Sequence, residues 1–293
     1  MAGWPDGKQV AVGFMVAWEA WPPDLGTSRS HQMKAQAPNP PNARYDRDMW
    51  VVYDHMYGEA QGMKRLLRMF DKYGVHATFV ANGARVEASP ELARQAAEAG
   101  HDLSSENYVH EYPIVQDEDE ERESLTKTVD AFNRVLGRPP NGYISPGHRP
   151  SPNTTNLLFE LGYQWSADFM GDDLPFCIER GSQVLVGMPY ANISDYQTYS
   201  FTGRTPQQVQ DMLIDEFEGL MEEGEAGEPK MMGYALHPFL CHPFRTRMVE
   251  RFIEHIAPTA WIATRTEIAE WVRAHRDEFP TRSYDDVMAD FEV

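Results

Sequence analysis

Glu106 and His110 stand four residues apart in the stretch from Gly100 to Pro113. A carboxylate oxygen and an imidazole nitrogen are ordinary ligands for zinc or a similar divalent ion. On one helical turn that spacing puts both side chains on the same face, within reach of a single ion. A further carboxylate, Glu19, follows the apolar run Gln9 to Ala17 and lies between Trp18 and Trp21. Such a run suits a strand buried on both faces. The C-terminal end of a barrel strand is where barrel enzymes place their chemistry. His237 occupies an equivalent position after Met231 to Leu236. Taken one at a time, these residues have plainer explanations: a solvated loop glutamate, a capping histidine, a rim carboxylate, a structural histidine.

The elements that must hold these groups can be read along the chain. Strand-like runs cover Gln9 to Ala17, Val75 to Ala81, His101 to Ser104, Tyr163 to Asp168, Val184 to Pro189, Met231 to Leu236 and Trp261 to Ala263. Helical patterns lie between them. Ser89-Pro90 should cap one helix, the acidic run Asp117 to Glu123 should open the next, and Thr205-Pro206 a third. Strands alternating with helices imply a mostly parallel sheet. Asp24 to Val52, rich in Pro, Asn, Ser and Arg, reads as a long loop over the barrel mouth.

Composition sets outer limits. The 293 residues are 42% hydrophobic, enough for one large α/β domain. A net charge of -19 disfavours nucleic acid and anionic membranes. Two cysteines, Cys177 and Cys241, make no disulfide framework. The first residues carry no basic and then apolar leader pattern, and no run approaches the ~20 apolar residues of a membrane span. The expectation is a cytoplasmic protein with no nucleic-acid or membrane partner.

Several of these stretches together resemble the polysaccharide deacetylase (NodB-homology) family, and within it the branch of allantoinases and related cyclic-amide hydrolases. Gly100-His101-Asp102-Leu103 and His110 match the family's second motif. Tyr57-Gly58 through Arg65 to Thr78-Phe79, Ser151-Pro152-Asn153-Thr154 and Asp172-Asp173-Leu174-Pro175 match the branch, and Leu236-His237 matches the fifth motif. The resemblance spans about residues 9–275. It implies a single-domain, distorted (β/α) barrel over residues 1–293, with His237 as general acid and a metal held by Glu19, Glu106 and His110. Glu106 stands where the family's first ligand histidine is usual, and Ala17 and Trp18 fill the places of its base, leaving Glu19 a second, catalytic role. The arginine of the third motif is Ile144 here, so Arg149 is taken to supply that charge from the loop. Trp18, Trp21, Tyr108, Pro146, His148, Arg149, Asp172 and Asp173 are the expected substrate contacts.

A metal supplies water of lowered pKa and polarises a carbonyl, and three protein ligands leave it an open position. A Glu-Glu-His set around a divalent ion, zinc being the expected one, leaves a net charge near zero and a weaker Lewis acid. The first expectation is hydrolysis of a non-peptide C–N bond in a small amide, cyclic imide or ureide. The alternatives are N-deacetylation of a polysaccharide or chito-oligosaccharide, and a non-catalytic binding protein on the same barrel. A homo-oligomer, a tetramer by the branch's habit, is expected.

Overall fold

The computed structural model describes residues 3–22 and 49–290. Its centre is β1 (Val10–Trp18), all nine residues of which are buried. The strand is apolar throughout because it has neighbours on both edges and on both faces. Its register runs parallel to β9 (Lys230–Leu236) from Val10 opposite Lys230 to Val16 opposite Leu236. On the other edge it pairs with β2 (Thr78–Ala81) and, nearer its start, with β10 (Trp261–Ile262). Val10, Val12, Phe14, Val16 and Trp18 face a cluster shared with the surrounding helices, whereas Ala11 and Met15 face the inner cluster.

The sheet continues from β2 through β3 (Asp102–Ser105), β4 (Gly142–Tyr143), β5 (Trp165–Ser166), β7 (Gln183–Gly187) and β6 (Phe176–Arg180) to β11 (Thr281–Ser283), and on its other side from β9 to β8 (Ile193–Ser194). Among the described residues every pairing is parallel except β6 with β7. Ten α-helices accompany it among the described residues: α1 (Met49–Tyr57), α2 (Met63–Tyr73), α3 (Gly83–Ala88), α4 (Pro90–Glu98), α5 (Glu118–Leu136), α6 (Thr154–Leu161), α7 (Pro206–Glu225), α8 (Pro243–Ile256), α9 (Arg265–Ala274) and α10 (Tyr284–Ala289). This is the distorted (β/α) barrel expected.

Three details differ from the sequence reading. The β6–β7 hairpin, turned at Gly181 with φ 61°, is an antiparallel addition that strand–helix alternation does not foresee. The ordered fold runs past residue 275, because β11 joins β6 and leads into α10. Ser89 makes no cap for α4; its Oγ donates to Glu59 instead. The acidic run does open a helix, through a capping box between Asp117 and Glu120. Most of the Asp24 to Val52 loop lies outside the described residues. Cys177 and Cys241 are both buried and free.

His101, just before β3, is buried against Phe70 and Phe79, and its Nδ1 accepts from the Ala77 amide at 3.1 Å. Burial, with His76 adding to it, depresses its pKa from 6.5 to about 4. The folded state therefore binds this proton less readily than the unfolded chain. Its stability contribution is whole above pH 6.5 and is lost as pH falls toward 4. Chemical denaturation of wild type and His101→Gln at pH 7 and pH 5 should show the wild type losing roughly 1–2 kcal/mol more over that interval. Equal losses would refute the assignment.

Candidate active site

The site is assembled one residue beyond the ladders. β1 ends with Trp18 opposite Ala81, and Ala81 lies opposite Ser105. The next residues on those strands are Glu19, Asn82 and Glu106, and all three are buried. His237 follows β9 in the same way, and Asp195 follows β8. Five strand ends thus deliver polar side chains to one place, at the C-terminal mouth of the barrel.

His110 arrives differently. Residues 106–112 carry no helix, so the four-residue spacing to Glu106 does not act through a helical turn. The loop is folded back instead by the His110 amide, which donates to the Ala20 carbonyl at 3.0 Å. The ring's Nε2 faces Glu19 Oε1 at 3.4 Å. Glu19, Glu106 and His110 each offer an atom within 4.8 Å of the others.

Glu19 is gripped from several sides. Its Oε2 accepts from Trp21 Nε1 at 2.5 Å, and its carbonyl accepts from Arg85 Nε at 3.2 Å. His237 Nε2 approaches Oε1 at 3.7 Å. His237 is held from behind by Asp195, whose Oδ1 lies 2.6 Å from the ring Nδ1 and whose Oδ2 accepts from the His237 amide at 2.8 Å.

The electrostatics separate the two glutamates. Burial opposes charge on Glu19, but the His110 and His237 rings outweigh it and hold the carboxyl well below its usual range. Glu106 goes the other way: burial and then the Glu19 charge raise its pKa well above normal. Burial also works against charge on His237, yet Asp195 and Glu19 raise it to about 10.

A divalent ion fits the Glu19–Glu106–His110 cluster. Glu106 Oε2 is buried with no hydrogen-bond partner, beside a second buried carboxylate. Two such acids need a proton or a cation between them. Oxygen, oxygen and nitrogen are donors that zinc, among other ions, accepts.

Glu19, Glu106 and His237 line a cavity of about 110 Å³ with Met15, Ala17, Val80, Ser145, His148, Tyr190 and Tyr196 among its other walls. Of the expected contacts, His148 lines this cavity, while Trp21 stands behind it, donating to Glu19 and packing on His110. His148 has φ 55°, an unusual left-handed backbone for a side-chain-bearing residue. Its ring packs on Tyr190 with centroids 3.7 Å apart. Burial lowers its pKa to about 4. Pro146 is buried within the same turn.

The other expected contacts are elsewhere. Trp18 turns outward into the helix-facing core, because side chains alternate along β1 and Glu19 takes the inner side. Tyr108 donates through its hydroxyl to Glu87 at 2.7 Å, away from the cavity. Arg149 is exposed, over the Tyr112 ring, so it brings no charge to the pocket. Asp172 Oδ1 accepts from the Leu174 amide and makes a turn, while Asp173 lies 4.0 Å from Lys230. Asp172 and Leu174 border a larger concavity of about 400 Å³, which includes none of Glu19, Glu106, His110 and His237.

Asp195 was not foreseen. It follows a two-residue strand, too short for any period to show. The role of Gly58 and Gly62 was also hidden. Between α1 and α2 the helix widens into a π-type turn, Gly58–Gly62. A Cβ on Gly62 would lie 1.9 Å from the Pro238 carbonyl oxygen. The glycines thus seat this helix on the turn that carries His237. Gly62→Ala should lower stability by about 1–3 kcal/mol through overpacking and displace His237. Thermal melting and activity should fall together; an unchanged melting temperature would refute the close seat.

The chain is similar to several known proteins. Residues 42–166 match the family model described as polysaccharide deacetylase. That segment holds Glu106 and His110 but neither Glu19 nor His237. The peptidoglycan deacetylase of Helicobacter pylori is 26% identical over 67% of this chain and 77% of its own. A probable polysaccharide deacetylase of Pseudomonas aeruginosa superposes with a TM-score of 0.81 at 28% identity, covering 93% of this chain and 94% of that one. The crystal structure of Puue allantoinase superposes with a TM-score of 0.82 at 25% identity, covering 93% of each chain.

Proposed function

Because the chain belongs to the polysaccharide deacetylase family, as a hydrolase of carbon–nitrogen bonds, we propose that it removes the N-acetyl group from an amino sugar in an oligosaccharide or polysaccharide. The relatives named above as deacetylases support this more than the small-amide reading, so the order expected from sequence is reversed. The observation that carries it is the convergence of Glu19, Glu106 and the Asp195-backed His237 on one buried cavity, with His110 in reach of both glutamates. That cavity is sized for an acyl group, with the rest of the substrate outside.

Glu19, Glu106 and His110 would hold the ion, and zinc is our assignment. When bound, it would activate water and polarise the acyl carbonyl. The remaining work falls to side chains. The usual base position holds Ala17, so one of the two glutamates must take the water proton. Glu106 is suited, since burial and the Glu19 charge raise its pKa, and a carboxylate can give one oxygen to an ion and use the other as base. Asp195 fixes Nδ1 of His237 and leaves Nε2 toward the cavity with a proton to give. Water oxygen bonds to the acyl carbon, the C–N bond breaks, and the nitrogen leaves as an amine carrying the His237 proton.

Hydrolysis of a small cyclic amide or ureide is the second reading, supported by the full-length likeness to the allantoinase structure. We also propose a homo-oligomer: Tyr53 and Met56 are 60% and 58% exposed on α1. A monomer mass by light scattering at micromolar protein would contradict this. For the reaction, zinc-loaded protein is given chitotetraose and allantoin, with and without chelator. Acetate from chitotetraose, abolished by the chelator, is the expected result. Turnover of allantoin alone would move the assignment to the second reading, and full activity in metal-free protein would remove the metal.

A further inference from the structure

The two glutamates of the site stand on strands that do not touch: β2 lies between β1 and β3. The ladders stop at Trp18, Ala81 and Ser105. One residue further on, β2 presents Asn82, fully buried, before its main chain turns into α3. Asn82 Oδ1 accepts from the Ala20 amide at 2.6 Å, and its Nδ2 donates to the Asn107 carbonyl at 2.8 Å. Ala20 directly follows Glu19, and Asn107 directly follows Glu106.

We propose that Asn82 is a positioning residue whose side-chain amide adds one more rung to the sheet and thereby sets the spacing of Glu19 and Glu106. A side-chain amide has the same donor and acceptor as a peptide group. It can therefore accept on one side and donate on the other, as the next backbone unit of β2 would. The backbone itself cannot do this, since it leaves for α3. Without the tie, the chain just after β1 and the chain just after β3 lose their hydrogen-bonded link across β2, and the two carboxyls are free to shift relative to each other. Neighbouring bonds depend on the same point: the His110 amide is anchored on the Ala20 carbonyl, and Arg85 on the Glu19 carbonyl. Asn82 thus acts on all three candidate ligands without being one, as the outer partners of metal ligands do.

The inference rests on the metal reading of this site, so its test reads metal affinity and the tie separately. Zinc affinity of the full chain is measured by competition with a chelating dye for wild type, Asn82→Ala and Asn82→Ser. Ile256→Ala, at the far end of α8, serves as a control for simple loss of stability. Asn82→Ala should weaken zinc at least tenfold, in the range found for outer partners of metal ligands. Asn82→Ser, too short to span both partners, should follow it and covers the case in which Asn82→Ala does not fold. Ile256→Ala should stay within twofold of wild type. An Asn82 variant binding zinc as wild type does, or a control losing as much, overturns the proposal. Hydrogen exchange of the Ala20 amide is followed in metal-free protein. It should speed up in the Asn82 variants while amides inside β1 stay protected. If wild type takes up no zinc, the metal reading fails, and an unchanged Ala20 rate is then the result that overturns the tie.

Discussion

Replacing His110 with alanine should weaken zinc binding by about two orders of magnitude or more, while the barrel still folds. Changing only the outer partners of a metal ligand already costs about 10–100-fold, and His110 supplies the one nitrogen among the three donors. The remaining pair, Glu19 and Glu106, is a hard-oxygen set that suits Mg²⁺ or Ca²⁺ better than Zn²⁺. His110 is fully buried against Trp21 and Tyr112. Its truncation therefore leaves a hole and a modest loss of thermal stability. The strands that make the core lie elsewhere, and far-ultraviolet circular dichroism should be unchanged. Equilibrium dialysis against zinc checks the affinity. A variant that keeps zinc at wild-type stoichiometry would remove His110 from the site.

Much of this arrangement is written in local sequence, and the part that is not has a physical reason. β1 is legible because a strand with neighbours on both faces must be apolar throughout. Its position also identifies Glu19, the first charge after that run. Trp18 was misplaced as a contact although the strand's two-residue alternation already puts it opposite Glu19. Glu106 and His110 were paired for a wrong reason. Their meeting depends on a hydrogen bond from His110 to Ala20, ninety positions away, which no local period encodes. Asp195 and Asn82 are invisible for a related reason: each acts through a partner on another strand, His237 in one case and Ala20 and Asn107 in the other. The hairpin β6–β7 was legible in principle from Gly181-Ser182 between two strand-like runs. Asp172 and Asp173 matched a motif of the allantoinase branch, yet the hydrogen bond from Leu174 shows a turn's chemistry in that motif.

Substituting His237 by alanine should cost about 10²–10⁴-fold in kcat/KM, the usual weight of a general acid, with zinc affinity little changed because His237 lies outside the ligand cluster. The geometry behind this is a chain from Asp195 through His237 to the cavity, with the ring's Nδ1 2.6 Å from Asp195 and Nε2 3.7 Å from Glu19. A group so placed can carry a proton to a leaving nitrogen only if its other nitrogen is held. Asp195→Asn should therefore lower kcat more than it raises KM, by less than His237→Ala does. The double variant should be no worse than His237→Ala alone, since the two residues act as one unit. The aromatic side chains around the ring, Tyr196 and Phe239, keep it in place against truncation of its partner. Steady-state kinetics on whichever of chitotetraose and allantoin the wild type hydrolyses provide the measurement. If His237→Ala retains more than a tenth of wild-type kcat/KM, or if the double variant loses the product of the two single effects, the proton chain from Asp195 to the leaving nitrogen is wrong.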